Sequence, residues 1–121
     1  LRPVAMPSDV AAMVELARSV HVAPALAGYL VDVAEATRRH GSLAVGISPR
    51  ATLALQRAAR TWAAMEGRDF AIPDDAKAVA GPVLSHRLAL SPEAHGRVRG
   101  AEEVLAEIFD RVPVPVGRPR A

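Results

Sequence analysis

Cysteine is absent from the 121 residues, which excludes disulfides and thiolate metal ligands and is compatible with a cytoplasmic setting. Aromatic residues make up only 3% of a chain that is half hydrophobic, so its apolar mass is alanine, valine and leucine. Alanine is the best helix former and lets helix axes approach closely, whereas a sheet would call for more aromatic and β-branched runs. Lysine is nearly missing as well, Lys77 being the single one. The pI of 9.9 therefore comes from arginine, a permanently charged fork suited to bidentate pairing with carboxylate or phosphate. A formal net charge of +2 is too small for a general positive field, which counts against a nucleic-acid binder. No apolar run approaches the roughly 18 residues of a membrane span. The opening Leu1-Arg2-Pro3 has neither an initiator Met nor a signal-peptide pattern, so a fragment of a longer protein is expected.

What the chain does contain reads as one core of four to five helices. Ser8 is expected to cap a first helix from Asp9 to about Ser19, with Val10, Met13, Val14 and Ala17 inward. Pro24, harmless in a first turn, opens a second helix that runs to about Arg39 with Leu26, Leu30, Val33 and Ala34 inward. Arg38, Arg39 and His40 suit the negative end of its dipole before Gly41. Ser48 followed by Pro49 reads as a cap and first helical position. That third helix should reach about Glu66, bury Ala51, Leu55, Ala58, Ala59 and Trp62, and stop at Gly67. A short fourth helix follows Pro73, with Asp74 and Asp75 at the positive end of its dipole. The stretch from Gly81 to Ser91 is apolar at both ends with a polar centre, too short to assign as helix or extended, and stays open. Gly96 to Gly100 reads as a mobile connection, and Ala101 to Arg111 as a last amphipathic helix with Val104, Leu105, Ile108 and Phe109 inward.

Catalytic devices are hard to find. A P-loop needs a glycine-rich turn ending in Gly-Lys-Ser/Thr, and Lys77 stands between two alanines. Neither a Gly-x-Ser-x-Gly elbow nor a His-Glu-x-x-His motif occurs. His21, His40, His86 and His95 are scattered without ligand spacing, so no metal site is expected. Asp74 and Asp75 are explained by their place at a helix start. Arg50, Arg57 and Arg60 lie near one side of the third helix. They could be a solvated face, but Arg50 sits in the first turn, where free N–H groups and the dipole also attract anions.

Several segments recur in a specific order: Val20-His21-Val22-Ala23-Pro24-Ala25-Leu26 with Tyr29, Ala36-Thr37-Arg38, Gly46-Ile47-Ser48-Pro49-Arg50-Ala51, Gly67-Arg68-Asp69, Pro73-Asp74-Asp75, Val83-Leu84-Ser85-His86-Arg87-Leu88, and Arg111-Val112-Pro113-Val114-Pro115. Together they resemble the C-terminal lid of MoxR-type AAA+ ATPases, from about Val20 to Val114. Departures are Ile47 in place of alanine, Ser85 in place of arginine, and Ile72 where a threonine cap is common.

The resemblance implies an all-α lid domain over residues 1–112, and the proline spacing of the Pro/Arg tail over 113–121 implies a disordered or extended segment. It implies that Arg50 is the sensor 2 arginine, directed to the γ-phosphate of ATP, with Ser48 and Pro49 positioning its helix. ATP and Mg2+ are then held mainly by an AAA+ core domain of the same chain, absent here, so the fragment alone is neither catalytic nor cofactor-bound. The implied parent is a cytoplasmic ATP hydrolase. It would be a homo-oligomer, usually a hexameric ring, with a chaperone-like or complex-maturation role and a von Willebrand factor A domain protein as partner. No membrane or nucleic-acid partner is implied. The alternatives are a basic helical nucleic-acid-binding module and a plain protein-interaction bundle.

Overall fold

Proline opens four of the five α-helices in the computed structural model, which describes residues 1–116. The helices are α1 (Pro7–Ser19), α2 (Pro24–Arg39), α3 (Pro49–Met65), α4 (Pro73–Leu84) and α5 (Ala101–Arg111). Each of the four prolines stands at the first helical position, where its missing N–H costs nothing and its fixed φ matches the helix. Two short strands, β1 (Leu43–Val45) and β2 (Ala89–Leu90), pair antiparallel, and Ser91 extends the contact by donating its N–H to the Ser42 carbonyl at 2.8 Å. The mostly helical class expected from composition is what the chain adopts, with this small ribbon as an addition.

The core is built from one face each of α2, α3, α4 and α5. Tyr29, Leu30 and Val33 meet the alanine-rich faces of α3 and α4, and Val104, Leu105, Ile108 and Phe109 close it from α5. Tyr29 and Phe109 pack edge to face at 6.3 Å between centroids. All four residues expected inward on α2 and all four on α5 are buried. On α3, Ala51, Leu55 and Ala59 are buried as expected and Ala63 joins them, while Ala58 is half-buried. Trp62 departs from expectation: its ring lies near the end of the helix and is 37% exposed.

Two further expectations need correction. Ser8 lies inside α1 and caps nothing; Met6 precedes the helix, and the Asp9 carboxylate accepts the Met6 N–H at 2.7 Å. A proline at position 7 starts the helix earlier than a serine at 8 can cap it. The apolar face of α1 is also not core, because the helix packs mainly on α3 and leaves Val10, Met13 and Val14 exposed. Its amphipathic period is real, yet none of its 13 residues is buried.

The undecided stretch after Gly81 resolves as the end of α4, a 3-10 turn over Ser85–Arg87, and β2. Pro82 sits inside the last turn of α4, which the fully buried Leu84 anchors to the core. The link from Gly96 to Gly100 follows a second 3-10 turn, and the N–H groups of Arg97 and Val98 both bond to the Ala94 carbonyl. Pro113 to Val116 form neither helix nor strand, and the remainder of the expected tail, 117–121, lies outside the described residues.

Candidate functional site

Ser48 caps α3 as its sequence suggests. Its hydroxyl accepts the Ala51 N–H at 3.2 Å, its carbonyl accepts the Thr52 N–H at 3.0 Å, and Pro49 follows as the first helical residue. Arg50 comes next, exposed and in no ion pair among the described residues. A guanidinium without an ion pair among the described residues therefore stands in the first turn, beside its own backbone N–H, which has no partner there, while Ser48 takes those of Ala51 and Thr52 and Pro49 has none. Charge of this kind in this place suits an anion. Ser48→Ala should cost about 1 kcal/mol through loss of the cap. Thermal or denaturant unfolding of the purified chain reads it directly.

The backbone just before Ser48 is held by α2. Thr37 is completely buried, and its hydroxyl works in both directions: it donates to the Ala34 carbonyl at 2.6 Å and accepts the Ile47 N–H at 2.9 Å. Arg38 completes the contact by donating its Nε–H to the Ile47 carbonyl at 2.9 Å. The N–H and C=O of Ile47 are thus both satisfied by two adjacent side chains of one helix. Gly46 lies so close to that helix that a Cβ built on it would stand 2.7 Å from the Arg38 nitrogen and 2.8 Å from its Cα. Ile47 itself is buried, so the residue that replaces alanine in the resemblance adds apolar contact to the same junction.

Sequence reasoning gave Arg38 only a helix-dipole role and gave Thr37 none. A signal for Thr37 did exist, since it falls four residues after Val33 on an otherwise apolar stripe. A polar group there has to find a partner.

Arg57 and Arg60 do not converge with Arg50. With Arg18, Val14, Ala17 and Thr61 they line a groove between α1 and α3 that Arg50 does not reach. The four histidines remain apart. The His21 carbonyl accepts the Ala71 N–H, and His40 accepts the Ser42 N–H at 3.1 Å and faces Glu107 at 3.5 Å; His86 and His95 are exposed. No group of three potential ligands that could hold a metal ion occurs among the described residues.

Asp75 is not a free acid. It is buried, accepts the Ile72 N–H at 2.7 Å, and forms a two-pronged pair with Arg68, one arm at 2.8 Å. Burial pushes its carboxyl up, but the Arg68 guanidinium and the Ile72 N–H outweigh that and hold it below the usual carboxylate value. Isoleucine at position 72 cannot cap α4 with its side chain, and Asp75 meets the need by reaching back to it.

Comparison with known proteins bears on this geometry. Residues 35–121 match the sequence model described as the AAA lid domain. The YeaC protein of Bacillus subtilis is 36% identical across 98% of this chain and 37% of its own length. Protein MoxR of Paracoccus denitrificans is 37% identical across 78% of this chain and 32% of its own. Chaperone MoxR1 of Mycobacterium tuberculosis is 36% identical across 88% and 31%. Among solved structures, a candidate ATPase from Cytophaga hutchinsonii superposes with a TM-score of 0.76 at 25% identity, covering 84% of this chain and 34% of that one. The chain spans about a third of the length of each of these relatives.

Proposed function

Because the chain belongs to the AAA lid domain family, as the lid region of a MoxR-type AAA+ ATPase, we propose that its role is to present Arg50 to the terminal phosphate of a nucleotide held by the rest of a longer protein. The observation that carries this reading is the state of Arg50: exposed, unpaired among the described residues, and fixed to the first turn of a properly capped helix. A rigid fork so placed can report whether a terminal phosphate is present. ATP supplies there a charge that changes on hydrolysis. The residues of this chain fit one end of that ligand, not the whole of it. No glycine-rich phosphate loop occurs in the sequence, and Mg2+ falls to the part of the parent outside these residues.

The bare face of α1 supports a second half to the proposal. Val10, Met13 and Val14, on one side of the helix, are all at least 44% exposed. An apolar stripe of that size suits a neighbouring part of the same parent, against which the lid would close and open as a rigid body. The parent would act as a ring-forming ATP hydrolase in the cytoplasm, with a chaperone-like or complex-maturation task and a von Willebrand factor A domain partner. The name chaperone is printed for the Mycobacterium tuberculosis relative and is carried here as part of the proposal.

Arg50→Ala in the intact parent should lower ATP turnover, or the preference for ATP over ADP, by roughly tenfold, the scale of one charge-assisted hydrogen bond. Arg57→Ala, altering a guanidinium in the separate α1–α3 groove, should change neither by more than a fraction of that. Steady-state hydrolysis and nucleotide titrations on the two variants decide the matter. Unaltered kinetics in both would overturn the assignment of Arg50.

A further inference from the structure

The start of α3 is only as well placed as the backbone that precedes it. That backbone is clasped by the last turn of α2 at three points: the Thr37 hydroxyl on the Ile47 N–H, the Arg38 Nε–H on the Ile47 carbonyl, and the Gly46 backbone seated on Arg38 without room for a methyl group. The Thr37 hydroxyl is itself tied to its own helix at the Ala34 carbonyl. Ordinary helix packing leaves an approaching loop free to shift, because apolar contacts carry little directional preference. Two hydrogen bonds of opposite sense to one buried residue fix its orientation as well as its distance.

We infer that Thr37 and Arg38 are positioning residues for Arg50, acting through the backbone of Ile47 to set where the sensor helix begins. The inference rests on the reading of Arg50 given above and extends it to residues on a different helix. Only Ser48 and Pro49 stand between Ile47 and Arg50, and both are conformationally restricted, one by the cap and the other by its ring. Little slack remains in the backbone between the clasp and the Cα of Arg50, from which the guanidinium extends. A change in the tilt of α2 is therefore transmitted to Arg50, and the clasp is a physical route by which packing against α2 can alter nucleotide response. Neither Thr37 nor Arg38 needs to touch the nucleotide for this to hold.

Thr37→Val keeps the shape of the side chain and removes both of its hydrogen bonds. Thr37→Ser keeps the hydroxyl. Arg38→Met keeps most of the stem of a surface residue and removes the guanidinium with its bond to the Ile47 carbonyl, and Arg38→Lys, which keeps the charge but not the Nε–H, separates the two effects; both serve if the valine variant does not fold. Each is made in the full-length parent, alone and together with Arg50→Ala. The readouts are ATP and ADP affinity by nucleotide titration, kcat and KM for hydrolysis, and the melting temperature.

The expected result is that Thr37→Val and Arg38→Met each lower the ATP-over-ADP preference by about fivefold, the scale of a modest coupling between sites. Serine should restore most of it at position 37. In the Arg50→Ala background neither change should lower the preference further, because the residue through which they act is gone. A folded Thr37→Val or Arg38→Met protein with undiminished preference, or a loss that adds fully to that of Arg50→Ala, would overturn the inference while leaving Arg50 in place. A silent Arg50→Ala would instead overturn the underlying reading, and the inference with it.

Discussion

Gly46→Ala is expected to destabilise the chain by about 3 kcal/mol, at the upper end of the usual cost of forcing extra atoms into a filled site. The reason is the identity of the obstructing atoms. The added methyl would meet the backbone nitrogen and Cα of Arg38, at 2.7 and 2.8 Å, as well as its Cγ at 2.9 Å. A side-chain tip can swing away, but helix backbone cannot. Relief requires either the last turn of α2 or the strand end at Val45 to move. Any such shift stretches the two bonds on Ile47 and exposes or orphans a buried N–H. Gly46 does not need a left-handed backbone, so the penalty is one of contact and not of φ. Gly41→Ala is the internal control, because a Cβ there meets nothing within 4 Å. Equal melting temperatures for the two variants would refute this steric account.

How much of this was legible beforehand depended on the range of the interactions. The bounds of α2 and α5 follow from local signals, a proline start and a basic end for one and a tight apolar stripe for the other, and they appear in the fold as the sequence suggests. Ser48 and Pro49 were readable for the same reason: a cap and a first-turn proline act within four residues. The β1–β2 ribbon was not readable, since strands of three and two residues are too short to show an alternating period. α1 was readable as a helix but not as an exposed one. Periodicity tells which face of a helix is apolar, not whether it is covered, and among the described residues this face stays exposed. The clasp on Ile47 joins residues ten apart through the way α2 and β1 fold together, so only its polar member on an apolar stripe left a trace.

Arg50 illustrates the same division. Its place in the first turn is a matter of local capping, and its exposure is visible in the fold. Its proposed ligand comes from neither source alone, because an exposed arginine at a helix start is common and takes on meaning through membership of the lid family.

The second large effect concerns Asp75. Replacing it with asparagine should lower stability at neutral pH by about 2 kcal/mol, because a buried acceptor of two charged and one backbone hydrogen bond becomes a weaker, neutral one. The size of the loss should itself depend on pH, and its sign follows from the direction of the shift. The folded carboxyl is held below its ordinary value, so the folded state binds that proton less readily than the unfolded chain does. The stabilisation is therefore complete above about pH 4, the range of an unfolded aspartate, and fades as acid carries the protein down through the lower folded value. The amide introduced by Asp75→Asn does not titrate, and the difference in unfolding free energy between the two proteins isolates the carboxylate from every other acid in the chain. Denaturant unfolding of both at several values between about pH 7 and about pH 2.5 should show a constant gap down to about pH 4 and a shrinking one below it. A gap that stays constant through the acid range, or widens, would mean that the Arg68 pair and the Ile72 cap do not hold the charge of Asp75 in the folded state.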